Sequence, residues 1–134
     1  MSPGGSVDKI VIEHLSVTYS DGLESLRDIN FGIEANAITV LFGPAGGGKS
    51  TLLRTINRLN ELVDVDQVQG QIFMNGENLL DPQINPVDLR RKIGIVFSRP
   101  IPLPLTIYQN VSYALELMGE RRKTRLDNAV EQAL

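Results

Sequence analysis

Gly43-Pro44-Ala45-Gly46-Gly47-Gly48-Lys49-Ser50-Thr51 is the stretch whose reading decides the fold. Just before it, residues 37–42 are almost wholly apolar with β-branched members, the pattern of a strand buried on both faces, as in a parallel sheet. Just after it, Leu52, Leu53, Ile56 and Leu59 recur at helical spacing, so a helix is expected from about 49 to about 62. Strand, glycine-rich turn and helix in this order place the turn at a helix N-terminus. Glycines let backbone N–H groups face inward around anionic oxygens, and the helix adds unpaired donors and partial positive charge. The spacing Gly43-x-x-x-x-Gly48-Lys49-Ser50 is that of the phosphate-binding P-loop. In it, Lys49 would reach the β- and γ-phosphates of a nucleotide and the Ser50 hydroxyl would ligand Mg²⁺. No Gly-x-Gly-x-x-Gly occurs, which disfavours a Rossmann site.

On the N-terminal side, residues 9–19 are rich in Val, Ile, Thr and Tyr and read as a strand, with His14 an ordinary member of it. Asp21-Gly22 is a turn dipeptide, and Leu26, Ile29, Phe31 and Ile33 mark a second, less regular strand. Residues 1–6 read as a flexible tail. On the C-terminal side, residues 71–74 are a short strand closed by the turn Asn75-Gly76, and Pro86 fits the first position of a short helix through Arg91. Residues 93–97 are another apolar, β-branched run, a second candidate buried strand. Three prolines at 100, 102 and 104 exclude a helix interior there. Thr106 and Gln109 form a capping-box pattern opening a helix to about Met118, stopped by Gly119. Leu126, Ala129, Val130, Ala133 and Leu134 share one face of a last helix, which Arg121-Arg122-Lys123 would start as a solvated segment.

Composition narrows the function classes. A chain of 134 residues, 42% hydrophobic and 22% charged, is one domain or part of one and can bury a core. The absence of Cys excludes disulfides, thiolate zinc sites and thiol catalysis, and fits a reducing compartment. A single His excludes a His-rich metal site. Residues 1–89 hold 5 Lys and Arg against 12 Asp and Glu, and residues 90–134 hold 8 against 4, which argues against a basic nucleic-acid binder. No apolar run approaches the ~18–20 residues needed to span a bilayer, and the N-terminus lacks the pattern of a signal peptide.

A P-loop alone does not choose among NTPases, but its neighbours do. The chain resembles the N-terminal half of the ABC (ATP-binding-cassette) ATPases over nearly all residues from about 9 to 134. Tyr19, in Val17-Thr18-Tyr19-Ser20-Asp21-Gly22, lies 24 residues before the P-loop and matches the family's A-loop aromatic. Ile93-Gly94-Ile95-Val96-Phe97-Ser98-Arg99-Pro100 aligns with its strand and Q-loop. Asn57-Arg58-Leu59-Asn60-Glu61-Leu62, Gly76-Glu77-Asn78, Asp88-Leu89-Arg90-Arg91 and Thr106-Ile107-Tyr108-Gln109-Asn110-Val111 make it most similar to the ATPases of bacterial phosphate importers.

The resemblance implies an α/β fold: a partial P-loop NTPase core with an antiparallel β subdomain, together about 7–104, and the start of a helical subdomain, about 105–134. It implies ATP and Mg²⁺ as cofactors. Tyr19 would stack on adenine, a role that needs only the ring, so that Phe would serve nearly as well. Gly43, Pro44, Ala45, Gly46, Gly47, Gly48, Lys49, Ser50 and Thr51 would hold the phosphates, with Lys49 also catalytic through charge offset. Ser98 stands where the family has a Mg²⁺-ligating Gln, keeping an oxygen but losing reach. Implied partners are integral-membrane transporter subunits and a second ATPase subunit at the cytoplasmic membrane face, with no nucleic acid and phosphate as the expected solute. The family's Leu-Ser-Gly-Gly signature, catalytic Glu and switch His are not in these 134 residues. The chain is therefore expected to be a piece of a longer domain that binds ATP without efficient hydrolysis. The alternatives are a naturally truncated, non-enzymatic nucleotide-binding or interaction module, and a soluble ABC ATPase of DNA repair or translation.

Overall fold

The two strand-like segments that precede the loop pair with each other. In the computed structural model, which describes residues 8–134, β1 (Asp8–Tyr19) and β2 (Glu24–Glu34) run antiparallel around the Asp21-Gly22 turn. The tail expected at 1–6 lies outside the described residues. β3 (Val65–Met74) pairs antiparallel with the other side of β1, and β4 (Glu77–Asn78) adds a short edge, giving the order β2-β1-β3-β4. β3 begins earlier than the 71–74 segment read from sequence, because its polar first half gains ladder bonds from β1 that hydrophobic patterning does not register.

Ile12, Leu15 and Val17 are all buried although 12 and 15 are an odd number apart, which plain alternation forbids. A bulge resolves this. His14 has φ 50°, and the register against β3 shifts between Glu13 and Ser16. His14 is thus no ordinary strand residue. Its exposed ring meets Asp28 Oδ1 at 2.8 Å. Across the bulge Gly70, at φ 97°, is required, since a Cβ there would lie 2.4 Å from the His14 carbonyl oxygen. The sheet side chains Ile12, Leu15, Val17, Leu26 and Ile72 form the core with Leu52, Ile56, Leu79 and Leu89.

α1 (Lys49–Ile56) supplies Leu52 and Ile56, but it ends six residues short of the expected 62. Arg58 adopts φ 58°, and the chain continues as a 3₁₀ turn, Leu59–Leu62. Satisfied polar contacts outweigh the helical periodicity here. The buried Arg58 guanidinium donates to Glu61 Oε1 at 2.6 Å and to the carbonyls of Asp81 and Ile84 at 3.1 and 3.0 Å. Arg90 on α2 (Pro86–Lys92) donates to the carbonyls of Asn57 and Arg58 at 3.2 and 2.7 Å. α2 starts as its sequence predicts, with Pro86 at the first position and the Asn85 side chain accepting from the Val87 N–H at 2.9 Å.

The two expected buried strands at 37–42 and 93–97 do not form. Neither run belongs to a strand, and Ile38, Phe42 and Val96 are 93%, 92% and 97% exposed. A strand apolar on both faces needs neighbours on both edges. Among the described residues the sheet is wholly antiparallel and offers these runs none. The fold is mixed α/β, with the antiparallel part built and the parallel part unpaired.

The chain divides into two compact units, one ending at Ile95 and one spanning Val96–Leu134. In the second, α3 (Ile107–Leu117) opens with the capping box that Thr106 and Gln109 imply: Gln109 N–H donates to Thr106 Oγ1 at 3.2 Å and Thr106 N–H to Gln109 Oε1 at 3.0 Å. Asn110 pins the preceding Pro-rich segment through both backbone groups of Leu103. α4 (Lys123–Ala133) buries Leu126 and Val130, while Ala133 and Leu134, expected on the same face, are exposed. Tyr108 Oη donates to Asp127 Oδ1 at 2.7 Å, joining α3 to α4.

Two measurements test these ties. Arg58→Ala removes three charge-assisted hydrogen bonds, each worth about 1.5–3 kcal/mol at most, and is expected to lower the urea-unfolding free energy by at least that of one bond. An unchanged midpoint would contradict the tie. Glu120 accepts hydrogen bonds from the Arg122 side chain and backbone, with Arg125 also close, and these hold its carboxyl at about 2, below the usual 4.5. The lowered value stabilises the start of α4 above about pH 4.5 and is lost as pH falls toward 2. Glu120→Gln is therefore expected to melt earlier than wild type at neutral pH, with the gap in helix-detected melting closing as pH falls through that window.

Candidate functional site

The loop sits between the unpaired run at 37–42 and the start of α1. Gly43, Gly46 and Gly48 have φ 153°, 78° and 76°. A Cβ on Gly43 or Gly46 would meet nothing within 4 Å, so one side of the loop is open. Gly48 differs. A Cβ there would lie 2.6 Å from the Ser25 carbonyl oxygen and 2.8 Å from Leu26 Cδ2, because β2 passes directly against the loop. Pro44, Ala45, Gly46 and Gly47 are exposed, and the Gly47 N–H turns back to the Pro44 carbonyl at 3.2 Å.

Lys49 folds over the loop and donates to the carbonyls of Gly43 and Pro44 at 2.8 and 2.6 Å. Its ammonium is thus held at the loop by two backbone carbonyls. Ser50, the next residue of α1, is exposed. Thr51 is buried, and its Oγ1 lies 2.9 Å from both Tyr19 Oη and Ser25 Oγ. Below it Thr55 Oγ1 donates to the Thr51 carbonyl at 2.7 Å. Two open clefts flank the group. One of about 310 Å³ is lined by Tyr19, Ser20, Asp21, Val63 and Asp64. The other, about 390 Å³, lies between residues 39–41 and Lys49, Ser50 and Leu53.

The expected site residues Tyr19 and Gly43 to Thr51 thus lie in one unit and are joined through Thr51. Ser98 lies in the second unit, at an exposed bend ahead of α3. Ser25 was missed by the sequence reading. A lone Ser at a strand start carries no signal, and its place beside Gly48 and Thr51 follows only from how β2 packs on α1.

Among the described residues no group of three or more His, Asp or Glu is placed to hold a metal ion. The donor set still suits Mg²⁺, which keeps several waters and is bound through few protein ligands plus substrate phosphates. Ser50 offers one such hydroxyl.

The unequal surroundings of the glycines give a direct test. Gly46→Ala adds a methyl at positive φ in open space, a cost of about 1–2 kcal/mol. Gly48→Ala adds the same strain plus overlap with β2, a further ~1–3 kcal/mol. Urea titration is expected to rank Gly48→Ala well below Gly46→Ala, and equal losses would show that β2 does not abut the loop.

Comparison with known proteins agrees with this geometry. The ABC transporter family profile matches residues 26–134. The chain is 49% identical over 111 residues to "Phosphate import ATP-binding protein PstB" of Colwellia psychrerythraea, covering 83% of this chain and 40% of that protein. It is 48% identical over 123 residues to "Phosphate import ATP-binding protein PstB 1" of Streptococcus pyogenes, covering 92% of this chain and 48% of that one. Among solved structures it is similar to cbiO1 of Clostridium perfringens, part of the ABC transporter complex cbiONQ, with a TM-score of 0.74 and 29% identity over 95% of this chain and 49% of that one. A bacterial Atm1-family ABC exporter with ATP bound shares the fold, with a TM-score of 0.66 and 24% identity over 82% of this chain and 18% of that one. The chain spans half or less of the length of the curated relatives it matches. With a profile match over most of its residues and a loop built as described, the chain belongs to the ABC transporter family.

Proposed function

We propose that this chain is the ATP-binding part of an ABC importer ATPase whose transported solute is phosphate. The observation that carries the reading is the loop itself: a complete Gly43–Ser50 pattern, open on one side, with the Lys49 ammonium bonded to its Gly43 and Pro44 carbonyls. The solute rests on the 48–49% identity to proteins named for phosphate import.

ATP would place its triphosphate in the loop, where inward-facing N–H groups and the first turn of α1 offer donors. Lys49 would exchange its two carbonyl acceptors for β- and γ-phosphate oxygens, replacing neutral acceptors with anionic ones so that both partners of each bond carry charge. The base would stack on Tyr19, beside the cleft reaching Val63 and Asp64. Ser50 would hold Mg²⁺, which when bound would offset the negative charge of the phosphates. Lys49 thus orients the γ-phosphate and offsets charge that grows during attack by water. Ser98 would reach the ion less well than the family's Gln, weakening coupling more than affinity.

In this reading residues from about 7 to 104 are the β subdomain and P-loop core, and the residues from about 105 begin the helical subdomain. The 134 residues hold neither a Leu-Ser-Gly-Gly sequence nor the family's catalytic Glu, so the chain alone binds ATP without efficient turnover. The intact protein pairs with a second ATPase subunit and with integral-membrane subunits at the cytoplasmic face. The cbiO1 relative, part of a transporter complex, supports the membrane partners. No helix of the described residues is long and apolar enough to cross a membrane itself.

Calorimetry on Lys49→Ala tests the nucleotide site. Loss of a charge-assisted bond worth about 1.5–3 kcal/mol is expected to weaken Mg-ATP by roughly ten- to a hundredfold. Unchanged affinity in a folded variant would overturn the reading. Restoration of phosphate uptake by the intact protein that contains these residues, in cells lacking their own importer ATPase and abolished by Lys49→Ala, tests the solute.

A further inference from the structure

Stacking on a base requires only an aromatic face, yet the structure also gives the Tyr19 hydroxyl a defined partner. Tyr19 Oη and Ser25 Oγ both lie 2.9 Å from Thr51 Oγ1. Thr51 is only 7% exposed, so water has little access to replace either bond. A threonine hydroxyl has one proton and two lone pairs, so Oγ1 can accept from both neighbours, or accept from one and donate to the other. The three groups come from three elements: the end of β1, the start of β2 and the first turn of α1.

Ser25 touches the loop a second way. Its carbonyl oxygen is the atom that a Cβ on Gly48 would strike. One residue of β2 therefore abuts the phosphate loop with its backbone and reaches the adenine-stacking tyrosine, through Thr51, with its side chain. We infer that Ser25 is a positioning residue for the nucleotide base: the Tyr19–Thr51–Ser25 hydroxyl chain holds the aromatic ring at a fixed place relative to the phosphate loop. The inference rests on the nucleotide-binding reading above and adds a residue to it. It also assigns the tyrosine hydroxyl work that Phe cannot do.

The test is calorimetry on the whole chain with two ligands, Mg-ATP and inorganic tripolyphosphate, the second having no base. Ser25→Ala and Tyr19→Phe are each expected to weaken Mg-ATP about two- to tenfold, the range of a neutral hydrogen bond. Both are expected to leave tripolyphosphate within twofold of wild type. The double variant is expected to lose no more than the worse single one, because either change breaks the same chain. Ser25→Thr, which keeps a hydroxyl, is expected to restore ATP affinity. Equal weakening of both ligands by Ser25→Ala would make Ser25 a structural support of the loop and overturn the inference, as would additive losses or unchanged ATP affinity. If Ser25→Ala does not fold, Tyr19→Phe decides alone, and wild-type ATP affinity in it overturns the inference. Wild-type protein that binds tripolyphosphate but not ATP overturns it too. Wild-type protein that binds neither ligand overturns the nucleotide reading itself.

Discussion

The seam between β2 and the start of α1 is the constraint on which the rest of the first unit depends. The Ser25 carbonyl and the Gly48 backbone approach so closely that no Cβ fits between them. This contact fixes where the helix starts and hence where the loop opens. Leu26, the next residue of β2, packs with Leu52 and Ile56 of α1 in the core. The antiparallel sheet is therefore what holds the phosphate loop at this point, since the run entering the loop at 37–42 has no ladder of its own among the described residues.

At the far end of α1 a different kind of contact takes over. Arg58 and Arg90 together bond to the carbonyls of Asp81, Ile84, Asn57 and Arg58 itself. These carbonyls belong to a helix end and an irregular segment; those of Asp81 and Arg58 also accept from the Ile84 and Glu61 N–H groups, so the guanidiniums add a second bond there. Arginine suits this place because its planar fork presents several donors at fixed angles while staying charged. The helix of the loop is thus gripped at both ends, by steric fit at Gly48 and by charge-assisted bonds at Asn57 and Arg58.

Local signals in the sequence were reliable wherever a side chain bonds to nearby backbone. The Thr106–Gln109 box, Pro86 at the start of α2, and the positive-φ glycines of the loop all appear as read, because each is decided within a few residues. Of the candidate site, Tyr19 and the loop were legible in the sequence, and the structure places them in one unit. The signal failed where a distant partner decides. The end of α1 could not be read because Arg58 answers to Asp81 and Ile84, and the His14 bulge because it faces Gly70. The apolar runs at 37–42 and 93–97 have a strand's composition, but a strand needs an edge to join, and composition does not supply one. Ser25 became visible only with the packing of β2.

The bare stretch before the loop has a consequence for the chain as a material. Ile38, Val40 and Phe42 are 93%, 72% and 92% exposed on an unladdered backbone whose neighbours in 37–42 are exposed too. Such an edge is a template for another chain's strand. These six residues of unmatched backbone, with the second unladdered run at 93–97, are therefore places where copies of the isolated chain can pair edge to edge.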